Sequence, residues 1–472
     1  MLQTSRSSDL TPIQDITSPM TALERRSTFA LAGVYALRML GLFMMLPVLS
    51  LFAERLDGST PFLMGLAVSI YGLTQSVFQI PFGLWSDRLG RKKVIVVGLM
   101  LFIVGSIVAA LSTTIYGVLI GRALQGSGAI SAAVMALVAD LTQEVHRTKA
   151  MATIGASIGM SFGVAVTLSP VIAQVVGVQG IFWVTAVLAF LAILTILFVV
   201  PEPPKSKRHR DAEVLPEQMS DALKNPDLLR LNYGIFILHL LLTATFVVVP
   251  LLMRNAGLVS AEHWKVYLGV MVAAIVIMVP FVILAEKKHQ MKWVFRGAII
   301  TIMCADIGMM FVNDHLVGII ACLGVFFCGF NLLEAILPSL ISKTAPADLK
   351  GTAMGVYSTS QFIGTFLGGA VGGWCYGKWG APAVFLFCTL AALSWLWVSL
   401  SMNPPRYLAN LLISLEQLSA KEAEHFANAM LEVKGVKEVI LHIDDAVAYL
   451  KVDNQQLDKE QLQGVINQNT AV

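Results

Sequence analysis

The chain has 472 residues, of which 56% are hydrophobic and only 13% are charged, and its mean hydropathy is +0.73. Soluble domains carry about 25% charged residues, so this composition excludes an ordinary soluble protein and predicts a chain that crosses a lipid bilayer. The net charge of +3 is small, and the basic residues lie in loops, which excludes nucleic acid as a partner.

Apolar runs of about 20 residues, the length that crosses the hydrocarbon core as a helix, predict twelve membrane spans. A polar segment at 201–230 is too charged to enter lipid, and it divides the spans into six plus six. We place the spans at 28–53, 62–85, 94–112, 114–140, 150–175, 179–200, 231–253, 263–286, 292–312, 316–341, 352–376 and 380–401.

The loops at alternate ends of these spans differ sharply in basic residues. One set holds the run 88–93 and the basic part of 201–230, whereas the other holds only Arg55, Arg254, Lys265 and Lys378. Because loops rich in Lys and Arg stay in the cytoplasm, this asymmetry predicts that both termini are cytoplasmic.

The two halves of the chain also resemble each other at an offset near 200 residues. Pro81-Phe82, followed by an acid and a base, has a counterpart in Pro280-Phe281 at the like place of a like-oriented span. Parallel repeats of six helices predict an all-α membrane fold of two halves related by an axis along the membrane normal.

The loop after span 2 carries Gly83, Asp87 and Gly90 together with several basic residues. It resembles the signature of the loop between spans 2 and 3 in the major facilitator superfamily. The alternative is a basic loop that only sets topology. The resemblance implies a conformational clamp in which Asp87 meets span 11 near Thr352 when that side is closed. The clamp residues that it implies are Gly83, Asp87, Arg88, Gly90, Arg91, Lys92 and Asp140.

Span 4 contains Arg122 in a segment that resembles the RxxQG motif of proton-coupled members of the same superfamily. An arginine within a span costs about 3 kcal/mol or more on insertion scales, so it is not expected to face lipid. Span 5 matches the antiporter motif only in part, through Gly155, Gly159 and Gly163, and a similar spacing recurs in span 11. Small residues at this spacing serve either helix packing alone or the transport motion.

Spans 1, 4, 7 and 10 occupy equivalent places in such a fold, where they line the central cavity. Each carries one ionisable residue, namely Arg38, Arg122, His239 and Glu334. We predict that Glu334, with Asn331 one turn before it, exchanges protons, because a charged carboxylate is costly inside a helix bundle. Arg38 and Glu334 are expected to form a bridge between the halves, either a static ion pair or one that breaks during transport. Asp306 in span 9 fits no such pattern.

After residue 404 the composition becomes that of a soluble domain. Strands at 407–415, 436–443 and 446–452 and helices at 419–433 and 457–467 predict a ferredoxin-like βαββα module. It resembles heavy-metal-associated domains, but it contains no cysteine, so we expect it to bind a small ligand or a protein rather than a soft metal. The chain thus resembles a group of bacterial superfamily members that carry such a tail.

These observations predict five regions: a cytoplasmic segment at 1–27, half-bundles at 28–200 and 231–403, a linker at 201–230, and a regulatory domain at 405–472. The leading hypothesis is a monomeric exporter of small amphipathic solutes in a bacterial inner membrane, driven by the proton gradient without a cofactor or metal. A solute importer on the same fold and a membrane sensor acting through the tail are the alternatives. The absence of nucleotide-binding, zinc and serine-nucleophile motifs predicts that the protein is not an enzyme.

Overall fold

A computed structural model describes residues 19–202, 219–288, 290–312, 314–346, 349–402, 409–414, 420–442, 447–453 and 456–469. The predicted twelve-helix fold with a small C-terminal α/β domain is confirmed. Spans 1 to 4 are formed in order by Ala22–Phe43 with Leu49–Ala53, by Pro61–Leu89, by Arg91–Leu111, and by Ile115–Ser127 with Ser131–Leu141, and Glu144–Phe198 contains spans 5 and 6. Spans 7 to 12 are, in order, Pro226–Asn255, His263–Lys287, Met291–Phe311, Leu316–Thr344, Lys350–Trp379 and Ala381–Leu400. A short helix, Met219–Lys224, precedes span 7.

Spans 5 and 6 run on as 55 helical residues, which would measure about 80 Å if straight, more than twice the hydrocarbon thickness. The backbone instead turns back at Gly177, where φ is +72°. Within the part of the chain that the structure describes, nine helices, with this pair counted once, are long and apolar enough to cross a membrane. Spans 1 and 11 complete the set of twelve despite their lower apolarity.

The bundle has two ends, which we name by their residues. The basic end is the one at which spans 2 and 3 meet within residues 88–93, and the far end is the one that holds the loop at 256–262. Local sequence sets the helix boundaries. Thr60, Thr114 and Asn225 accept hydrogen bonds as N-caps, and Gly90, with φ at +98°, lets span 3 begin directly after span 2.

Glycines form the seams along which helices approach most closely. A Cβ at Gly364 or Gly368 would come within 2.0 and 2.2 Å of backbone oxygens of span 7. On another face of span 11, a Cβ at Gly369 would lie 2.6 Å from the backbone oxygen of Gly65 in span 2. The glycines of span 11 therefore serve packing both within one half and across the two halves.

The two halves separate toward the basic end. A Cβ added at Gly155 or Gly159 of span 5 would meet no neighbouring atom of the described residues within 4 Å, so this face of the helix is open. In span 8 the consecutive residues Ile275, Val276 and Ile277 are all exposed. Because successive side chains of a helix point about 100° apart, most of the circumference of span 8 is uncovered at these positions. The space between the halves therefore opens at the basic end.

The C-terminal domain has a three-stranded antiparallel sheet in the order β1-β3-β2, with β1 at Ala409–Ser414, β2 at Val436–His442 and β3 at Val447–Val452. Helices Ala420–Glu432 and Lys459–Asn469 supply Phe426, Met430, Leu462 and Ile466 to a core on one face of this sheet. The order agrees with the predicted ferredoxin-like βαββα arrangement. The parts of the predicted strands at 407–408, 415, 443 and 446 lie outside the described residues.

Candidate functional site

A charged network joins spans 2, 3 and 4 at the basic end. Arg91 Nε donates to Asp140 Oδ2 at 3.1 Å, and Arg91 Nη1 donates to Asp87 Oδ1 and, at 2.9 Å, to Ser86 Oγ. The side chains of Arg91 and Asp140 are 3% and 2% exposed, so this ion pair is desolvated. The structure thus brings together Asp87, Arg91 and Asp140 of the predicted clamp, with the additional residue Ser86, which directly precedes Asp87 in the signature.

The other predicted clamp residues have separate surroundings. Gly83 allows span 2 to approach span 4, because its Cβ would lie 3.2 Å from the Cβ of Ala132. Lys92 Nζ donates to the carbonyl oxygen of Val200 at 2.6 Å and to Glu202 at 3.0 Å, so it binds the end of span 6. Arg88 is exposed at the surface of the basic end.

A second charged cluster at the basic end was missed by sequence reasoning. Glu24 accepts a hydrogen bond from the backbone nitrogen of Gln143 at 2.7 Å and lies 3.1 Å from His146 Nδ1, so it ties the start of span 1 to the loop between spans 4 and 5. Burial raises the pKa of Glu24, but hydrogen bonds from Gln143, Thr21 and His146 outweigh burial and hold the pKa at about 2. The capping box formed by Thr21 and Glu24 was the available sequence signal.

The two predicted cavity arginines are fully buried against span 2. Arg122 donates to the carbonyl oxygens of Ala67 at 3.3 Å and Val68 at 3.1 Å and to Gln125 at 2.8 Å, and it lies over the Tyr71 ring at 4.5 Å. These bonds replace water around a guanidinium that lipid could not solvate. Arg122 therefore fastens span 4 to span 2.

Arg38 Nη2 donates to Gln75 Oε1 at 2.6 Å and to the carbonyl oxygen of Gly128 at 3.0 Å. The predicted pair of Arg38 with Glu334 is not formed between these two described residues, because Arg38 is held within its own half. Nε and Nη1 of Arg38 are buried without a hydrogen-bond partner among the described residues. Two donors therefore remain at the interior of the first half.

His239, Glu334 and Gln361 meet in the interior of the second half. The distance from His239 Nε2 to Gln361 Nε2 is 2.7 Å, and that from His239 Nε2 to Glu334 Oε2 is 3.9 Å. Oε2 of Glu334 is buried and has no hydrogen-bond partner among the described residues. The hydroxyl of Tyr357 on span 11 is also buried without a hydrogen-bond partner among the described residues. Spans 7, 10 and 11 thus converge on one carboxyl group that has unused hydrogen-bonding capacity.

Asn331, the other predicted cavity residue, is half-buried on span 10, one turn before Glu334. Asp306 is 1% exposed in span 9, and its Oδ2 also lacks a hydrogen-bond partner among the described residues. Sequence reasoning found no pattern for Asp306, which lies on span 9, whereas His239, Glu334 and Gln361 lie on spans 7, 10 and 11.

An aromatic cluster connects this group to the other half. Phe162 of span 5 lies 5.1 Å from Phe43 and 5.9 Å from Phe330, and Phe330 lies 6.0 Å from the His239 ring. Phe327 and Phe246 are packed behind it with almost no exposure. Phe162 of the first half therefore contacts Phe330, which in turn contacts His239 of the second half.

The far end closes through polar contacts between the halves. Arg254 at the end of span 7 donates to both carboxylate oxygens of Glu54, which follows span 1. Gln174 of span 5 donates to the carbonyl oxygen of Ala261, and Ser50 Oγ lies 3.5 Å from the carbonyl oxygen of Phe246. An interior with titratable groups, open at one end and held shut at the other, suits the passage of a small solute.

Comparisons with known proteins agree with this architecture. The sequence model of the Major Facilitator Superfamily matches residues 31–369. The chain is 46% identical over 450 residues to the inner membrane transport protein YajR of Escherichia coli (strain K12), which covers 95% of this chain and 99% of that protein.

Two more distant similarities extend the comparison. Multidrug resistance protein 2 of Bacillus subtilis (strain 168) is 27% identical over 356 residues, 71% of this chain and 84% of that protein. The crystal structure of the human organic anion transporter MFSD10 superimposes with a TM-score of 0.60 at 19% identity, over 80% of this chain and 100% of that one.

Proposed function

Because this chain belongs to the major facilitator superfamily and is a multi-pass membrane transporter, we propose that it exchanges a small amphipathic solute for protons and exports it from the cell. The observation that carries the proposal is the Glu334 carboxyl, 3.9 Å from His239 in the interior of the second half. A charged carboxylate is unfavourable there unless it is paired, so a proton and a solute donor group compete for it. Competition for one carboxyl couples their movements in opposite directions.

The proposed direction, export, is supported by the distribution of Lys and Arg among the loops and by similarity to a known protein. The Lys and Arg asymmetry of the loops supports a cytoplasmic basic end with both termini inside. In that orientation the space between the halves is open to the cytoplasm, the side from which an exporter takes its solute. The name of the Bacillus subtilis relative, multidrug resistance protein 2, supports export. The proton gradient serves as the energy source, and no cofactor is required.

Glu334→Gln tests the proposal. The neutral amide resembles a permanently protonated carboxyl, so we expect proton movement coupled to the solute to fall at least about 100-fold while folding and insertion are unchanged. The protein is reconstituted in vesicles that contain a pH-sensitive dye, and the solute is one identified by thermal shift at two pH values.

Asp306→Asn is the matched control, because Asp306 is another buried acid of the same half. It is expected to keep proton coupling. If Glu334→Gln still changes the vesicle pH upon solute addition, Glu334 is not the proton carrier. Loss of coupling in Asp306→Asn alone would move the role to Asp306.

A further inference from the structure

The C-terminal domain contacts the membrane bundle through a lysine. Lys451 lies on the central strand β3, and its Nζ donates to the carbonyl oxygen of Ala345 at 3.0 Å and lies 3.5 Å from Glu438 Oε2 on β2. Ala345 is the C-cap residue of span 10. A lysine is seldom buried unless it is paired, yet Lys451 is 7% exposed.

The burial of Lys451 does not come from the core of its own domain. Ala448, Leu450 and Val452 of β3 point into that core and are completely buried beneath the two helices. Side chains alternate along a strand, so Lys451 belongs to the opposite face of the sheet. That face would meet solvent in an isolated domain, and here the end of span 10 covers it at Lys451.

The same chemistry occurs twice within the bundle. Lys92, at the start of span 3, donates to the carbonyl oxygen of Val200 beyond the end of span 6. Arg296, at the start of span 9, donates at 3.1 Å to the carbonyl oxygens of Ser399 and Leu400 at the end of span 12. The last carbonyls of a helix lack intrahelical partners and carry partial negative charge. A cation placed there donates hydrogen bonds to these carbonyls and is attracted by their charge. Spans 6 and 12 are thus capped by their own halves, whereas span 10 receives its cation from outside the bundle.

We propose that the outer face of the C-terminal sheet is a docking surface for the basic end of span 10, and that Lys451 fastens it there as a cap. The domain thereby restrains the helix that carries Glu334 and Phe330, and it releases that helix when Lys451 withdraws. Span 12 ends at Leu400 and β1 begins at Ala409, so the connecting chain reaches at most about 30 Å and keeps the domain beside its docking site.

Hydrogen–deuterium exchange of the full-length protein in lipid nanodiscs tests the proposal without any knowledge of the transported solute. Lys451→Met removes the cation and keeps the length of the side chain. We expect exchange in the peptide covering residues 339–346 to become roughly 5-fold faster, the scale of one charge-assisted contact at a helix terminus. Lys437→Met, an exposed lysine on neighbouring β2, is the matched control and should leave that peptide unchanged.

Protection of helix Ala420–Glu432 reports whether the domain stays folded in each variant. Glu438→Lys provides a second perturbation at a side chain that is 39% exposed, because it places a like charge beside Lys451 without disturbing the core. It should accelerate exchange at 339–346 in the same way. Unchanged exchange at 339–346 in both Lys451→Met and Glu438→Lys would overturn the docking role. Such a result would leave the proposed proton exchange at Glu334 unaffected.

Discussion

At the scale of single residues, the buried arginines Arg122 and Arg91 differ in the kind of partner that surrounds their charge. Arg122 satisfies its guanidinium with carbonyl oxygens of span 2, whereas Arg91 binds the carboxylates Asp87 and Asp140. Arg122 has a neutral set of partners that suits a fixed position, since backbone carbonyls cannot change charge. Arg91 has acidic partners at the end of the bundle, where water can take over one of them when the helices move.

Asp87→Asn tests whether this network controls the opening of the basic end. The amide keeps the shape of the side chain but loses the charge that is expected to meet span 11 only when the basic end is closed, so we expect the closed state to lose stability relative to the open one. Cysteines introduced at the basic ends of spans 2 and 11 should then react about 5-fold faster with a soluble thiol reagent.

Asp227→Asn is the control for this measurement, because Asp227 forms a partly exposed ion pair with Arg230 within span 7 itself, in its first turns. It should leave the labelling rates unchanged. Equal labelling of the Asp87→Asn variant and the parent protein would remove Asp87 from the clamp.

At the scale of helices, two glycine patterns that look alike in sequence have different surroundings. Gly364 and Gly368 of span 11 lie against the backbone of span 7, whereas Gly155 and Gly159 of span 5 face open space in this state. A missing Cβ stabilises the first pair of helices through close approach. In span 5 the missing Cβ atoms leave room for a neighbouring helix, and in this state no helix occupies that room.

Gly368→Ala is therefore expected to destabilise the fold and Gly155→Ala is not. The Cβ at residue 368 would lie 2.2 Å from the carbonyl oxygen of Leu240, so span 11 or span 7 must move. We expect a loss of roughly 1–3 kcal/mol, seen as a lower melting temperature in detergent, for Gly368→Ala. Gly155→Ala should melt within about 1 °C of the parent. Comparable losses in the two variants would mean that span 5 packs more tightly than this structure describes.

When the two halves are considered together, the far end is closed by the glycine seam between spans 2 and 11 and by polar contacts, of which one is an ion pair. The ion pair of Glu54 with Arg254 is partly exposed, with side chains 41% and 31% accessible. Exposed pairs contribute little to stability, about 0–1 kcal/mol. A pair of this kind suits a gate, because it can open without a large penalty.

Glu54→Gln should make the far end open more often. The readout is a cysteine in place of Ser50, which is fully buried between the halves. Its reaction in whole cells with a membrane-impermeant thiol reagent is expected to become about 2- to 5-fold faster in Glu54→Gln.

Glu262→Gln removes a salt bridge to Lys265 at the same end but within one half, so it should have no effect on Ser50→Cys. A variant lacking Ser50→Cys measures the background from the five native cysteines. Protection of Ser50→Cys in cells together with reaction in inverted vesicles would reverse the proposed orientation.

The number of spans, the division into halves and the secondary structure of the C-terminal domain could all be predicted from the amino-acid sequence. These features are local, since a span depends on about 20 consecutive apolar residues and a strand on alternation within a few positions. The association of Asp87, Arg91 and Asp140 was also predictable, because the resemblance of the loop at 83–93 implied it.

The pairing of groups that are distant in the chain could not be predicted and is seen first in the folded protein. The fold places Glu334 beside His239 rather than Arg38, joins Glu54 to Arg254, and brings Lys451 to the end of span 10. Each of these contacts depends on how helices far apart in the chain are rotated and on which end of the bundle is closed. Rotation and closure are set by packing between whole faces of helices, such as the glycine seam of span 11, and a pattern within one segment does not contain them.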